Sequence, residues 1–161
     1  SPEIQLIIDT TADPSKAVSF SDNAVPGAMY VSVRQSGQLL NAFDLADSII
    51  HEHRHQRLYL LQTQVPIVAI DTPFVKSPWR EALRPPSGLF HAVYVFCGLL
   101  EWWRYVATTT AGATQSYAHQ VMSQISSKLK EAIPTLRTTQ LTASGKSLLG
   151  SLEAKFREHL S

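Results

Sequence analysis

Three residues in the middle of the chain, His51, Glu52 and His55, form the pattern His-Glu-x-x-His. On an α-helix, His51 and His55 lie one turn apart on the same face, so both imidazoles can bind one cation at a metal–nitrogen distance of about 2 Å. Glu52 is rotated about 100° from His51 and can reach the open side of that metal without binding it. Two imidazoles suit zinc, iron, nickel or copper, so the pattern predicts a metal site without identifying the metal.

A metal centre of this kind needs a third ligand, and two residues downstream are candidates. His91 lies in the apolar run 88–94, where a buried histidine needs a partner and a metal ion would be one. Glu101 resembles the downstream glutamate of some zinc peptidases, but it follows His91 by ten residues and is expected on another face of the helix. The sequence therefore favours His91 as the third ligand.

The elements that must position these residues follow from the periodicity of the chain. Residues 1–40 are predicted to be strand-rich. Short apolar or alternating runs at 4–8, 17–20 and 28–33 are separated there by turn dipeptides such as Asp-Pro and Pro-Gly. This part of the chain predicts a small antiparallel sheet.

From Asn41 onwards the apolar residues recur at helical spacing, which predicts a bundle of about four helices over residues 41–161. The predicted helices span 41–64, 88–106, 114–133 and 142–159. Ser87 is expected to cap the second helix, and Pro134 to end the third. The segment between the first two helices contains five prolines and is predicted to have little regular structure. The predicted fold is α+β and mainly α, in a single domain over 1–161.

The composition limits the class of protein. With 161 residues, 44% of them hydrophobic, the chain is long enough for one domain with a core. A count of 14 basic against 13 acidic residues leaves a net charge of +1, which argues against a nucleic-acid binder. The single cysteine excludes an internal disulfide, and the longest apolar run, 88–100, is too short to cross a bilayer. We expect a soluble cytoplasmic domain, and its start at Ser1 is consistent with a fragment of a longer protein.

Several short motifs together resemble a known family. In chain order they are Pro26-Gly27, Ser48–His55, Ser77-Pro78-Trp79-Arg80, Arg84-Pro85, Gly88–His91 with Tyr94, and Leu141–Lys146. In this combination the chain, from about residue 17 to residue 160, resembles the His-Glu-x-x-His motif domains found beside the biosynthetic genes of ribosomally made, modified peptides. That family is described as iron- and 2-oxoglutarate-dependent peptide β-hydroxylases.

The resemblance implies a mononuclear Fe(II) centre held by His51, His55 and His91. It also implies 2-oxoglutarate and O2 as co-substrates, and a precursor peptide that is hydroxylated at a side-chain β-carbon. Three histidines differ from the usual non-haem iron set of two histidines and one carboxylate, so the entry of Glu52 or a loop residue into the ligand set stays open.

The second carboxylate of 2-oxoglutarate, remote from the metal, needs a positive partner. Arg84 and Arg80 lie between the two helices that carry the histidines. Both fit that role, because a guanidinium group binds a carboxylate through two parallel hydrogen bonds. Under the resemblance, these two arginines are therefore the expected co-substrate ligands.

Two other functions remain open. In a zinc metallopeptidase, Glu52 would be the general base that deprotonates a zinc-bound water. The sequence after His55 lacks the Gly-x-x-His continuation of one large peptidase group. The other alternative is a non-catalytic, metal-bound module that binds a leader peptide.

The role of Glu52 separates the hydroxylase from the peptidase. In the hydroxylase, Glu52 would position water or a neighbouring ligand instead of acting as a general base.

Overall fold

The computed structural model of the protein describes residues 13, 15, 18–21, 25 and 27–159. Within them the chain forms four helices and three two-stranded antiparallel sheets. The helices are α1 (Ala42–Gln64), α2 (Pro86–Thr109), α3 (Gly112–Arg137) and α4 (Ala143–Glu158). The strands are β1 (Ser19–Ser21), β2 (Met29–Val31), β3 (Arg34–Gln35), β4 (Gln38–Leu39), β5 (Val75–Ser77) and β6 (Arg80–Arg84). The predicted α+β, mainly α, class is confirmed.

Helix α1 has the bounds that its sequence signals predict. The side-chain oxygen of Asn41 accepts hydrogen bonds from the backbone N–H groups of Phe43 (2.9 Å) and Asp44 (3.0 Å). These bonds satisfy two of the amide groups that have no partner at the start of a helix. The helix ends at Gln64, because the residue that precedes Pro66 is forced out of the helical conformation.

Helix α2 is the centre of the core. More than half of its residues are buried, among them Phe90 and Trp103, which are at most 1% exposed. It packs against α1 on one side and α3 on the other. None of the helices within the described part of the chain is long and apolar enough to span a membrane.

The start of α2 differs from the prediction. The helix begins at Pro86, a residue type that suits the first helical position, so Ser87 lies inside the first turn and is not the cap. Asp71, from the preceding loop, accepts hydrogen bonds from the backbone N–H (2.7 Å) and the hydroxyl (2.6 Å) of Ser87. A carboxylate placed there also complements the positive end of the helix dipole. The capping group thus comes from a distant part of the sequence.

Helix α3 continues through Pro134 to Arg137, so its predicted end was wrong. Pro134 is exposed, and water can solvate the carbonyl whose helical hydrogen bond it removes. Ile133 and Leu136, on either side of the proline, are both buried. Their packing offsets the cost of a proline inside a helix, which is roughly 3 kcal/mol.

Helix α4 completes the bundle. The hydroxyl oxygen of Thr142 accepts a hydrogen bond from the backbone N–H of Gly145 (3.0 Å) and so caps the helix. Leu149, Leu152 and Phe156, which the helical spacing places inward, are buried in the core.

The N-terminal strands are shorter than predicted and form two hairpins. Strand β1 overlaps the predicted run 17–20, strand β2 lies within the predicted run 28–33, and the two pair antiparallel with Phe20 opposite Tyr30. Strands β3 and β4 form a second hairpin. The predicted strand at residues 4–8 lies outside the described residues.

The segment with five prolines between α1 and α2 contains more regular structure than predicted. Strands β5 and β6 form an antiparallel hairpin within it, with Val75 opposite Arg84 and Ser77 opposite Arg80. The prediction failed because the prolines stand beside the strands rather than inside them, where they would have removed ladder hydrogen bonds. The hairpin carries both predicted arginines.

Candidate metal centre

A cleft of about 920 Å³ opens between α1 and the first half of α2. Strand β1 and the β5–β6 hairpin also line it. Six candidate residues from the sequence line this cleft: His51, Glu52, His55, Arg80, Arg84 and His91. Residues that are up to 40 positions apart in the chain are therefore brought to one place by the packing of α1 on α2.

His55 and His91 face each other across the two helices. Their Nδ1 atoms are 3.1 Å apart, and their rings are stacked with centroids 5.3 Å apart. The Nε2 atom of His91 lies 2.7 Å from Oε1 of Gln62. Because that amide oxygen only accepts hydrogen bonds, the proton of neutral His91 is on Nε2 and the lone pair of its Nδ1 points towards His55.

The protein keeps this histidine pair neutral. Burial, together with the nearby charges of His51 and Arg84, lowers the pKa of His55 to about 4, although the carboxylate of Glu52 opposes the shift. Burial likewise lowers the pKa of His91 to about 4, with the charges of His55 and Arg84 acting in the same direction. Both imidazoles are neutral at pH 7, which is the state that binds metal ions.

His51 lies beside the pair rather than within it. Its ring centroid is 4.9 Å from that of His55, and its ring meets Phe96 edge-on at 5.7 Å. Burial lowers the pKa of His51, while the carboxylates of Glu52 and Asp47 oppose that shift. Asp47 is itself fixed by Trp103, whose indole N–H donates to its carboxylate (2.5 Å).

The separation of the Nδ1 atoms of His55 and His91 suits two ligands of one metal ion. Two nitrogens that bind one ion at about 2.0–2.1 Å and at right angles are about 3 Å apart, which is close to the separation in the His55–His91 pair. The bond from His91 to Gln62 also matches the way in which metal-binding histidines are usually held through their second nitrogen. Among the described residues, no three His, Cys, Asp or Glu side chains are arranged to hold an ion. The geometry thus fits two ligands, and His51 as the third stays a prediction.

Glu52 is buried, and each oxygen of its carboxylate accepts a hydrogen bond. One oxygen accepts a hydrogen bond from the hydroxyl of Ser19 and the other from the hydroxyl of Ser21, both at 2.8 Å. Only 3% of the Glu52 surface is exposed. The predicted catalytic glutamate therefore connects α1 to strand β1, and its catalytic role stays a prediction.

The two arginines differ in their surroundings. Arg84 is half-buried, and its Nε atom is buried without a hydrogen-bond partner among the described residues. Its guanidinium lies over Gly88, where a Cβ atom would be 2.8 Å from Nε. Burial and the charge of Arg80 lower the pKa of Arg84, whereas Tyr59 raises it. Arg80 is exposed on the same wall of the cleft.

Two other residues from the sequence analysis have partners elsewhere. Glu101, the rival third ligand, accepts a hydrogen bond from Lys155 at 3.0 Å and does not line the cleft. Trp79 stacks on Phe96 with ring centroids 4.7 Å apart, so it anchors the β5–β6 hairpin and also forms part of the cleft wall.

Sequence reasoning missed several residues that form the site. Gln62 lies two turns after His55 on α1, and that spacing is the one signal that could have placed it near the metal ligands. Tyr59, whose ring lies 4.5 Å from that of His91, follows His55 by one turn in the same way. Ser19 and Ser21 alternate along a strand, but nothing in the sequence links them to Glu52.

A comparison of the chain with models of known protein families and with curated proteins finds no match.

Proposed function

We propose that the protein is a mononuclear Fe(II)- and 2-oxoglutarate-dependent hydroxylase that acts on a side-chain β-carbon of a ribosomally made peptide. The observation that carries this proposal is the meeting of the neutral His55–His91 pair and two arginines in one cleft. The family resemblance supplies the identity of the metal and of the co-substrate. We expect the reaction to take place in the cytoplasm, as the composition of the chain predicts.

In this proposal the histidines hold the metal and the remaining side chains orient them. His55 and His91 bind through Nδ1, with His51 as the third ligand, and Gln62 keeps the proton of His91 on Nε2. With iron and 2-oxoglutarate bound, such a site supplies the oxidation of the keto acid by O2 to succinate and CO2, with the second oxygen atom inserted into a C–H bond. The protein contributes orientation and a partly dry cleft.

Arg84 is assigned to the carboxylate of 2-oxoglutarate that is remote from the metal. Its buried Nε–H has no partner within the part of the chain that the structure describes, which costs free energy unless a ligand accepts the hydrogen bond. A carboxylate would accept two parallel bonds from this guanidinium. Gly88 leaves room for the side chain at the start of α2.

The zinc peptidase is the second candidate, and it requires a different environment for Glu52. A general base must reach a metal-bound water. In the described geometry both carboxylate oxygens accept hydrogen bonds from serine hydroxyls. This arrangement favours a supporting role for Glu52 and hence the hydroxylase over the peptidase. A module without turnover would bind the metal and a peptide but release no succinate.

The proposal is tested by an anaerobic titration of the protein with Fe(II) in the presence of 2-oxoglutarate. We expect the weak visible charge-transfer band of the iron–keto-acid chelate. It should be lost in His55→Ala and His91→Ala and retained in His119→Ala, an exposed histidine on α3. Absence of the band together with tight stoichiometric zinc binding would overturn the proposal and favour peptide hydrolysis.

The same titration tests the assignment of Arg84. Replacing Arg84 with Gln should weaken 2-oxoglutarate binding by about tenfold or more, because a charge-assisted hydrogen bond contributes roughly 1.5–3 kcal/mol. The matched control is Arg57→Gln, which changes an exposed arginine on α1 that does not line the cleft. Equal effects of the two substitutions would contradict the assignment.

A further inference from the structure

Strand β1 has one paired edge and one open edge. The N–H of Ser32 donates to the carbonyl of Val18 (2.8 Å), so Val18 is a hydrogen-bonded position of the hairpin. Such positions alternate along an antiparallel pair, which makes Phe20 the next one. Ser19 and Ser21 therefore direct their main-chain N–H and C=O groups away from β2. Among the described residues, no strand pairs with that outer edge.

The open edge borders the cleft. Ser19, Phe20 and Ser21 all line it, whereas no residue of β2 does. Side chains of a strand alternate between its two faces, so a cleft that contacted one face would meet alternate residues only. Contact with three consecutive residues indicates that the cleft runs along the edge of β1.

Glu52 fixes this edge in position. The hydroxyls of Ser19 and Ser21 project to the same side and donate to its two carboxylate oxygens. Glu52 is adjacent to His51 in the chain and precedes His55 by three residues. The open main-chain groups of β1 are thus held beside the histidines. Because the strand is already ordered, binding of a ligand does not lose free energy to the ordering of the strand.

The part of the cleft wall that β6 forms is positively charged. Arg80 and Arg84 lie on β6, and neither forms an ion pair among the described residues. Among the described residues, Glu52 is the one carboxylate that lines the cleft, and it accepts hydrogen bonds from two serine hydroxyls. The proposed function uses Arg84 for the co-substrate, which leaves Arg80, on the exposed rim, to attract a negatively charged group of a second ligand.

We propose that the peptide substrate binds as an added β-strand along the open edge of β1, with an acidic side chain facing Arg80. This inference deepens the proposed function and rests on it for the identity of the cleft as the reaction site. Main-chain hydrogen bonds to Ser19 and Ser21 supply binding that is independent of the peptide sequence. Alternate side chains of the added strand point into the cleft, so one β-carbon in two is presented towards the histidines.

The test uses the whole chain without metal and a short, fluorescently labelled synthetic peptide. The peptide alternates Thr and Val around one central Asp and is blocked at both ends. Two further peptides carry N-methyl groups on one or the other set of alternate residues, and a fourth has Lys in place of Asp. Because one edge of an added strand bonds to β1, we expect one N-methylated set to weaken binding by about tenfold or more and the other to leave it nearly unchanged. The peptide with Lys in place of Asp should bind as weakly as the peptide whose N-methyl groups block the edge that bonds to β1.

A pair of protein variants tests the same edge. Ser21→Pro removes the outward N–H and the hydroxyl, whereas Ser21→Ala removes the hydroxyl alone. We expect Ser21→Pro to bind the Asp peptide more weakly than Ser21→Ala, and Arg80→Gln to abolish the preference for Asp over Lys. If Ser21→Pro does not fold, the N-methylated peptides decide the question with the unaltered protein.

The outcomes separate this inference from the proposed function. Equal effects of the two N-methylated sets, or no binding of the Asp peptide, would overturn strand addition even if the iron–keto-acid band forms. Binding with the expected N-methyl pattern but without that band would support strand addition and overturn the hydroxylase.

Discussion

Helices α1 and α2 pack against each other and have 23 and 24 residues, yet they bury opposite kinds of side chain. Two of the three buried residues of α1 are polar, Glu52 and Gln56, and both have partners in the N-terminal part of the chain. The buried residues of α2 are almost all apolar. The difference shows that α2 holds the core together, whereas α1 holds the β1–β2 hairpin against the cleft.

The comparison of the two helices predicts that the truncation of buried side chains destabilises the protein most in α2. Phe90 is fully buried in the core, so Phe90→Ala should lower the free energy of unfolding by about 3–5 kcal/mol. Urea denaturation followed by circular dichroism measures this loss. The matched control is Phe96→Ala, one and a half turns later on the cleft side, where the ring is half-buried against Trp79. A loss as large at Phe96 as at Phe90 would contradict the division between core and cleft.

The hydrogen bonds between α1 and β1 should give the next largest effect. Replacing both Ser19 and Ser21 with Ala leaves the buried carboxylate of Glu52 without those donors, and we expect a loss of about 1.5–3 kcal/mol. Glu52→Gln should cost less, since an amide can still pair with both hydroxyls. The control is Ser116→Ala, which removes an exposed hydroxyl on α3.

A double-mutant cycle then decides whether these three residues act together. In a Glu52→Leu background the two serine substitutions should have little further effect, because the group that they bind is absent. Purely additive losses would show that the serines stabilise the hairpin independently of Glu52. Loss of all turnover in Glu52→Gln, with normal stability and full activity of the serine variants, would indicate the peptidase instead.

The face of α1 that carries the site could be predicted from the sequence, because helical spacing alone places His51 and His55 on one side. The cap at Asn41 and the end before Pro66 follow from equally local rules. The bounds of α1 could be predicted because they depend on residues close together in the chain. His91 was predicted as a ligand because a histidine within an apolar run needs a partner, and that role stays a prediction.

The partners of the site residues could not be predicted, because they come from remote segments. Ser19 and Ser21 precede Glu52 by 33 and 31 positions, and Asp71 caps α2 from 16 residues upstream. The β5–β6 hairpin is a similar case. Its prolines suggested a loop, and only pairing between the two halves of the segment reveals the strands that position Arg84. Tertiary contacts decide these features, and one sequence does not display them.

The histidine pair predicts a dependence of stability on pH in the metal-free protein. The folded state binds protons on His55 and His91 near pH 4, whereas an unfolded histidine binds them near its ordinary pKa of 6.5. Between these values the unfolded state carries more protons, so the free energy of unfolding falls as the pH is lowered from 6.5 towards 4. We expect a slope of at most about 1 kcal/mol per pH unit, because solvent screens part of the interaction.

The measurement compares urea midpoints of the unaltered chain and of a His55→Gln, His91→Gln double variant across this pH range. All other titrating groups are common to the two proteins, so the difference between the curves isolates the pair. We expect the double variant to lose less stability on acidification. Parallel curves would show that the folded protein does not keep these imidazoles neutral.

The smallest expected effect concerns the polar contact that joins α1 to α2. The guanidinium of Arg54 lies against Gly98, its Nε–H donates to the carbonyl of Tyr94 (2.9 Å), and it sits 4.2 Å from the centre of the Tyr94 ring. A Cβ atom at Gly98 would overlap the guanidinium and displace it. Gly98→Ala should therefore lose this contact and gain helix propensity, for a net change in the free energy of unfolding of about 1 kcal/mol or less.

The matched control is Gly150→Ala, on the exposed side of α4 with open space around it, which should gain stability by about 0.5–1 kcal/mol. In an Arg54→Ala background the two alanine substitutions should become equally stabilising. If Gly98→Ala already matches Gly150→Ala in the unaltered chain, the polar contact does not contribute to the packing of α1 against α2.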